Sequence, residues 1–306
     1  MEKWLDLHMH SVYSGDGEFA PEELMKKCAA AGLKAVALAD HNSMRGVPEA
    51  KRAAEQLGLV YFPALEIDCM HKGRNFHLLG YGIHSDAAAF SEIEQNIHEQ
   101  ELAASDKLIE LVRGIGFSFD EELVRAKAKN GVIVAEMIAE VVLNDPHNDD
   151  NKLLLPLRSG GARSDNPLVN FFWDFCSQGK PAYVPMYYVS LATAVYAIQK
   201  NGGAAVLAHP GANMGQNHEV TESIIRTGID GIEVYSNYHD EETKRFYAKI
   251  CADHGLFATC GSDFHGKAKP AIHLGELGHP DSQKLYEQLL QKIKQRGGEV
   301  AGCLQM

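Results

Sequence analysis

One rhythm recurs along most of this chain: a short apolar run closes on a histidine, an aspartate or a glutamate, and a helical pattern follows. Trp4-Leu5-Asp6-Leu7-His8-Met9-His10 is the first such run. Pro21 to Ala31 follows as a helix, with proline in its first turn and Gly32 as its stop. Ala35 to Ala39 leads to Asp40-His41 and a helix from Val47 to Leu57. Val60 to Leu65 is a third strand that ends at Glu66, and Asn75 to Tyr81 is a further strand. The rhythm returns later. Helical patterns cover Ala192 to Lys200, Val220 to Thr227, Asp240 to His254 and Ser282 to Arg296. Strand patterns cover Ala204 to Ala208, Gly231 to Tyr235 and Phe257 to Cys260. Alternating units of this length predict an α/β fold with a parallel sheet or barrel, its polar strand ends gathered at the C-terminal rim.

Between about Ala87 and Pro181 the alternation stops. Phe90 to Arg113, Asp120 to Lys129 and Val134 to Leu143 carry helical patterns, and Asn144 to Asn151 is a polar loop. The domain reading is a barrel from residues 1–97 and 170–306, interrupted by a mostly helical subdomain at 98–169.

Charge narrows the partners. Lys plus Arg number 29 against 41 Asp plus Glu, a formal net charge of −12. A long polyanion needs a basic footprint, and no basic run exists, so duplex DNA is not an expected partner. A small anionic substrate stays open, because bound cations invert the local field. Met1 to Leu7 carries no signal-peptide pattern, no apolar stretch reaches transmembrane length, and the six cysteines lack any C-x-x-C pair. Free thiols in the cytoplasm, and no membrane, are the expectation. The oligomeric state is not readable.

Fifteen histidines are many for this length, and their placement matters more than their number. His8 and His10 are two apart on a strand and so share a face. Asp16 lies in a glycine-flanked loop, His41 and Glu66 close strands, His77 interrupts an apolar strand, and His209, Asp263 and His265 follow late strands. Each has a bland reading alone: a turn residue, a helix cap, a hydrogen-bonded core histidine. Together, nine such groups on one rim are too many to leave unneutralised. Mixed nitrogen and oxygen donors in this number suit two or three divalent cations, and closely spaced cations activate water toward a phosphoryl group.

Asp6-Leu7-His8-Met9-His10-Ser11, Asp40-His41, Glu66, His77-Leu78-Leu79-Gly80-Tyr81, Ala208-His209-Pro210 and Gly261-Ser262-Asp263-Phe264-His265 resemble, in order and combination, the PHP (polymerase and histidinol phosphatase) superfamily. The likeness is nearest to its stand-alone bacterial phosphoesterases acting on nucleotides and short RNA ends, which also carry a helical insertion. The resemblance implies a distorted (β/α)7 barrel and three cation sites. His8, His10, Glu66 and Asp263 would hold one ion. Glu66, His77 and His209 would hold a second, with Glu66 bridging. Asp16, His41 and His265 would hold a third. Manganese, iron and zinc all suit such donors.

The expected activity is hydrolysis of a phosphate ester of a small nucleotide, a 3′,5′-bisphosphonucleotide or a nucleoside monophosphate, or of a short RNA end, by a metal-activated hydroxide. A metal-bound water, Asp263 or His209 protonates the leaving oxygen, and the sequence leaves that choice open. Relatives place an arginine after His-Pro-Gly, whereas Ala212 stands here. Arg158, Arg163, Lys267 and Lys269 are the candidate substrate-binding cations, each with a reading as a solvated surface charge. Two alternatives stand beside this one. The first is a histidinol-phosphate phosphatase, against which the insertion argues. The second is a non-catalytic metal-binding module, against which the full donor set argues.

Overall fold

In the computed structural model, which describes residues 3–128, 130–279 and 281–303, the apolar runs become strands of two sheets. β1 (Leu5–Asp6), β2 (Ala35–Val36) and β3 (Val60–Tyr61) pair in parallel in that order. The second sheet contains β4 (Ala64–His71), β5 (Arg74–Tyr81), β6 (Val189–Ser190), β7 (Ala204–Leu207), β8 (Gly231–Ser236) and β9 (Phe257–Gly261). Their spatial order is β6-β4-β5-β7-β8-β9. The parallel arrangement expected from the alternation holds for β6–β4 and from β7 to β9 but fails at β5, which is antiparallel to both β4 and β7. The cause is local. Lys72 and Gly73 both adopt positive φ, +49° and +75°, which makes the tight turn that joins adjacent strands as a hairpin.

Glu66 does not close the third strand, as the sequence suggested. Pro63, which has no N–H, separates β3 from β4, and Glu66 is the third residue of β4. The backbone stays extended past the short strands. Leu7 N donates to Cys260 O (3.0 Å), Asp263 N to His8 O (2.8 Å) and His10 N to Phe264 O (2.9 Å). Ala39 N donates to Met9 O (2.9 Å), and Glu66 N to Asp40 O (3.0 Å). These bonds set the donor-bearing ends side by side.

Helices Pro21–Ala30, Val47–Leu57, Leu191–Lys200, His218–Ile225, Glu241–His254 and Ser282–Arg296 follow the strands, within two residues of expectation at either end. Ser190, Asn217 and Asp240 cap three of them by accepting from the N–H three residues on. The last helix buries a stripe of Leu285, Tyr286, Leu289 and Ile293 in a core shared with Leu5, Leu7, Phe62, Leu79, Tyr81 and Val206. Its end is fixed by Arg296, whose guanidinium grips both carboxylate oxygens of buried Asp230, while Asp230 Oδ2 also accepts from Ala205 N (2.9 Å).

The chain divides into two compact units, Met1–Glu94 with Tyr188–Met306, and Gln95–Tyr187. The second unit is helical around its own core of Ile109, Val112, Phe117, Ile138, Val142, Phe171 and Phe175. The helix expected from Asp120 to Lys129 runs only Glu121–Arg125, capped by Asp120, and Lys129 lies outside the described residues. The polar loop after it is pinned: Asn148 is buried, accepts from Ser118 N (3.0 Å) and donates to Ser118 O (2.6 Å) and Val142 O (2.8 Å). All six cysteines are free thiols and only Cys303 is exposed. Among the described residues no helix is long and apolar enough to cross a membrane.

Candidate metal centre

The extended segment after β1 carries His8 and His10, both fully buried, with their Nε2 atoms 3.1 Å apart. Their other nitrogens are committed. His8 Nδ1 lies 2.9 Å from Glu233 Oε1. His10 Nδ1 lies 3.0 Å from the Ser14 hydroxyl, which gives its own hydrogen to Asp40 Oδ1 (2.9 Å) and therefore accepts from His10. With each Nδ1 donating outward, each Nε2 is left to face inward as a ligand atom.

They face Glu66, which is fully buried on β4. Its Oε2 lies 3.1 Å from His8 Nε2, 3.3 Å from His10 Nε2 and 3.3 Å from His41 Nδ1. Its Oε1 lies 2.9 Å from His77 Nδ1 and 3.1 Å from His209 Nε2. One carboxylate thus stands among five imidazoles. Asp263 closes the far side: its Oδ1 is 3.1 Å from His10 Nε2 and 3.5 Å from His8 Nε2. Its Oδ2 accepts from Tyr238 (2.5 Å) and from Lys269. His265 turns Nδ1 to the Asp263 carbonyl (2.9 Å) and Nε2 toward Asp16 Oδ2 (3.1 Å). Asp263 and His209 hold positive φ, +58° and +22°, a rare conformation away from glycine that a functional site retains.

Three groups have donor atoms within 4.8 Å of one another: His8, His10, Glu66 and Asp263; His41, Glu66 and His77; and His10, His41 and His265. His209 joins through Glu66, and half-exposed Asp16 through His265. His41, grouped from the sequence with Asp16 and His265, stands equally near Glu66.

The electrostatics are those of imidazoles and carboxylates buried against one another. Burial disfavours protonating His8, but Glu66, Glu233 and Asp263 outweigh it and raise its affinity for a proton well above the usual range. His77 is raised in the same way, burial being overcome by Glu66 and Asp68. Burial pushes Glu66 and Asp263 upward, yet the surrounding imidazoles, and Lys269 beside Asp263, hold both well below the ordinary carboxylate range. His10 is pushed down to about 4 by burial and by His265 and His41. Glu66 Oε2, His41 Nδ1 and His265 Nε2 are buried and make no hydrogen bond despite close neighbours. Polar atoms that face one another without bonding cost several kcal/mol unless a cation lies among them, and mixed imidazole and carboxylate donors fit divalent cations.

Lys269 is the one lysine or arginine within ion-pair distance of these donors among the described residues. Lys267 is exposed, with its backbone N–H bonded to Glu18 (2.7 Å). The two arginines are engaged inside the second unit. Arg158 donates to Leu143 O (3.1 Å) and pairs with Asp149 (3.2 Å), and Arg163 pairs with Asp174 (2.8 Å) and donates to Asn170 (3.0 Å).

Sequence reading missed the supporting partners. Asp68 stands 3.0 Å from His77 Nε2, two residues after Glu66 on the same face. Glu233 is a fully buried carboxylate in an apolar strand, and the burial cost that drew attention to Glu66 applies to it equally. Ser14 and Tyr238 carried no sequence signal of their roles, and Asp40, which the sequence marked only beside His41, accepts from Ser11 and Ser14.

The PHP domain profile matches residues 6–143. The chain is 31% identical over 283 residues to a 3′,5′-nucleoside bisphosphate phosphatase of Chromobacterium violaceum, covering 89% of this chain and 90% of that protein. It is 26% identical over 273 residues to a 5′-3′ exoribonuclease of Haemophilus influenzae, covering 87% and 91%. Among solved structures, one from Bifidobacterium adolescentis, provisionally assigned as a metal-dependent phosphoesterase, superposes with a TM-score of 0.75 at 26% identity, covering 94% of this chain and 95% of its own. A shared profile, and 31% identity to a relative over nearly the full length of both chains, make this chain a member of the PHP domain family.

Proposed function

We propose that this protein is a metal-dependent phosphoric ester hydrolase that removes phosphate from a small nucleotide, a 3′,5′-bisphosphonucleotide or a nucleoside monophosphate. The observation that carries the reading is Glu66, buried among five imidazoles with an oxygen that makes no hydrogen bond. The relative named as a nucleoside bisphosphate phosphatase supports the substrate class, and the net charge of −12 favours a small anion over a long polyanion. The relative named as an exoribonuclease supports a second reading, release of terminal nucleotides from short RNA at the same site.

In this proposal His8, His10, Glu66 and Asp263 hold one cation, Glu66, His77 and His209 a second, and Asp16, His41 and His265 a third. Manganese, iron and zinc all suit the donors. Bound there, divalent cations polarise the phosphoryl group and lower the pKa of water. The chain's own residues do the rest. Lys269, beside Asp263, neutralises charge on the phosphoryl oxygens. Asp263 presents to His8 and His10 one oxygen and to Tyr238 and Lys269 the other. Held well below the ordinary carboxylate range, Asp263 carries no proton of its own, so the proton that passes to the leaving group comes from Lys269, which donates to that outer oxygen. His209 is the other proton-donor candidate, but its Nε2 faces Glu66, and its Nδ1 is 3.2 Å from Asn213, so it serves better as a ligand.

The scaffold in this reading is a distorted (β/α)7 barrel. β3 and β4 count as one strand bent at Pro63, β1 meets β9 through Leu7 N to Cys260 O (3.0 Å), and β2 meets β4 where His41 bridges to Glu66. The Gln95–Tyr187 unit, which the sequence placed at 98–169, is proposed as an inserted subdomain. Buried free thiols support a reducing compartment.

The test is phosphate release by the purified, manganese-loaded protein from bisphosphonucleotides, nucleoside monophosphates, short 5′-phosphorylated RNA and histidinol phosphate. Preferred turnover of bisphosphonucleotides or monophosphates supports the proposal. No release from any nucleotide, or faster release from histidinol phosphate, defeats it.

A further inference from the structure

We propose that Glu233 is a positioning residue: it fixes which nitrogen of His8 faces the cation cluster and, with its second oxygen, holds His209 in place. This rests on the reading that the cluster binds cations, and it adds a residue to which that reading assigns no part.

Glu233 lies on β8 and is fully buried. Among the described residues its one ion-pair partner is His8, Nδ1 to Oε1 at 2.9 Å. Its Oε2 accepts from His209 N (2.9 Å), the residue whose backbone is held at φ +22°. One carboxylate therefore meets donors from two of the proposed ion sites. Gly261 makes the approach possible: a Cβ there would sit 2.4 Å from Glu233 Oε1 and 2.3 Å from His8 Cβ. A carboxylate buried at this cost, with a glycine opposite to admit it, is placed for its two acceptors and not for packing.

Two acceptors are what the geometry demands, and only an ionised carboxylate supplies both. Glutamine has the same shape but one oxygen and one NH2. The His209 N–H cannot stop donating, so the amide oxygen of Glu233→Gln turns to it, and the NH2 turns to His8 Nδ1. His8 then accepts at Nδ1 and carries its proton on Nε2, the atom 3.1 Å from Glu66. A proton held on Nε2 must be lost before that nitrogen can bind a cation, so His8 becomes a poorer donor.

The experiment compares full-length wild-type protein, E233Q and E233D. Nitrogen-15 NMR of the histidine rings in metal-free protein, at a pH high enough to leave His8 neutral, reads which ring nitrogen keeps the proton, manganese titration reads affinity, and thermal melting without metal reads the fold. The expectation is that E233Q melts as wild type does without metal, shows His8 Nδ1 unprotonated, and binds manganese about 10–100-fold more weakly. E233D, shorter but with two acceptors, keeps the proton on Nδ1 and binds manganese better than E233Q. If packing alone mattered, the isosteric glutamine would be the milder change, so E233Q binding better than E233D overturns the proposal. So does a His8 Nδ1 proton retained in E233Q. Should E233Q not fold, E233D decides: the Nδ1 proton kept supports the role, and its loss overturns it. Wild-type protein that binds no manganese overturns the cation reading together with this inference, whereas normal wild-type binding with unchanged E233Q overturns the role of Glu233 alone.

Discussion

Lys269 reaches across to the outer oxygen of Asp263, so the one lysine or arginine beside the donor cluster among the described residues is tied to one of its proposed ligands. Lys269→Ala is expected to lower kcat/KM on a nucleotide substrate about 10- to 100-fold, or about 1.4–2.7 kcal/mol of transition-state stabilisation. Manganese content should not change, because Asp263 Oδ1 and the imidazoles remain. Steady-state kinetics with metal analysis of the same preparation checks both halves.

His10 and Asp263 face each other at 3.1 Å inside the cluster. Replacing either with alanine removes a donor atom outright, a larger loss than the about 10–100-fold that follows when an outer partner is removed. Activity is expected to fall by more than that range while the circular dichroism spectrum stays that of the wild type. Wild-type turnover in either variant would remove both residues from the site.

Cations bound only by the folded chain stabilise it by mass action, by about 2.7 kcal/mol when the free ion stands at a hundred times its dissociation constant. Chelation should therefore lower the melting temperature along with activity, and manganese should restore both. A melt unmoved by chelator counts against cation binding.

Without a cation, burial lowers the proton affinity of His8 and His77, but their neighbouring carboxylates raise it further, and both end well above the usual histidine range. Both then carry protons at neutral pH, and a cation must displace them. Binding should release protons, and apparent affinity should rise as pH rises and fewer protons compete. Calorimetric titration in two buffers of different ionisation heat measures the release. A heat independent of buffer refutes it.

Far from the cluster, Arg296 holds Asp230, and Asp230 in turn accepts from the backbone at the start of β7. Arg296→Met leaves a buried carboxylate whose one remaining ion-pair partner among the described residues is Lys292, at 3.7 Å, beside hydrogen bonds from Gln199 and Ala205 N. A loss of about 2–3 kcal/mol of stability is expected, with kcat unchanged. Urea unfolding beside kinetics separates the two effects.

The strand-and-helix rhythm was legible because apolar runs and helix caps act locally. Val47–Leu57 and Ser282–Arg296 fall where the pattern of buried positions puts them. The donors were legible because histidines and carboxylates at the ends of apolar runs are costly without a purpose. The hairpin between β4 and β5 was not. Lys72-Gly73 looks like any loop, and direction of pairing is decided by two positive φ angles, not by hydrophobicity. Misjudging that hairpin also misplaced Glu66, which lies inside a strand and not at its end. Glu233 and Asp68 were missed for a different reason. Each supports a histidine that is distant in sequence or across a strand pair, and a support is recognisable only once its partner's orientation is known.

His8, His10, Asp16, His41, Glu66 and His77 leave the ribosome well before His209, Asp263 and His265, and each of the three proposed ion sites takes one donor from that later set. Loading is then a late event in biogenesis. Cells starved of the right cation would accumulate a finished but idle polypeptide, whose activity depends on supply and not on fresh synthesis.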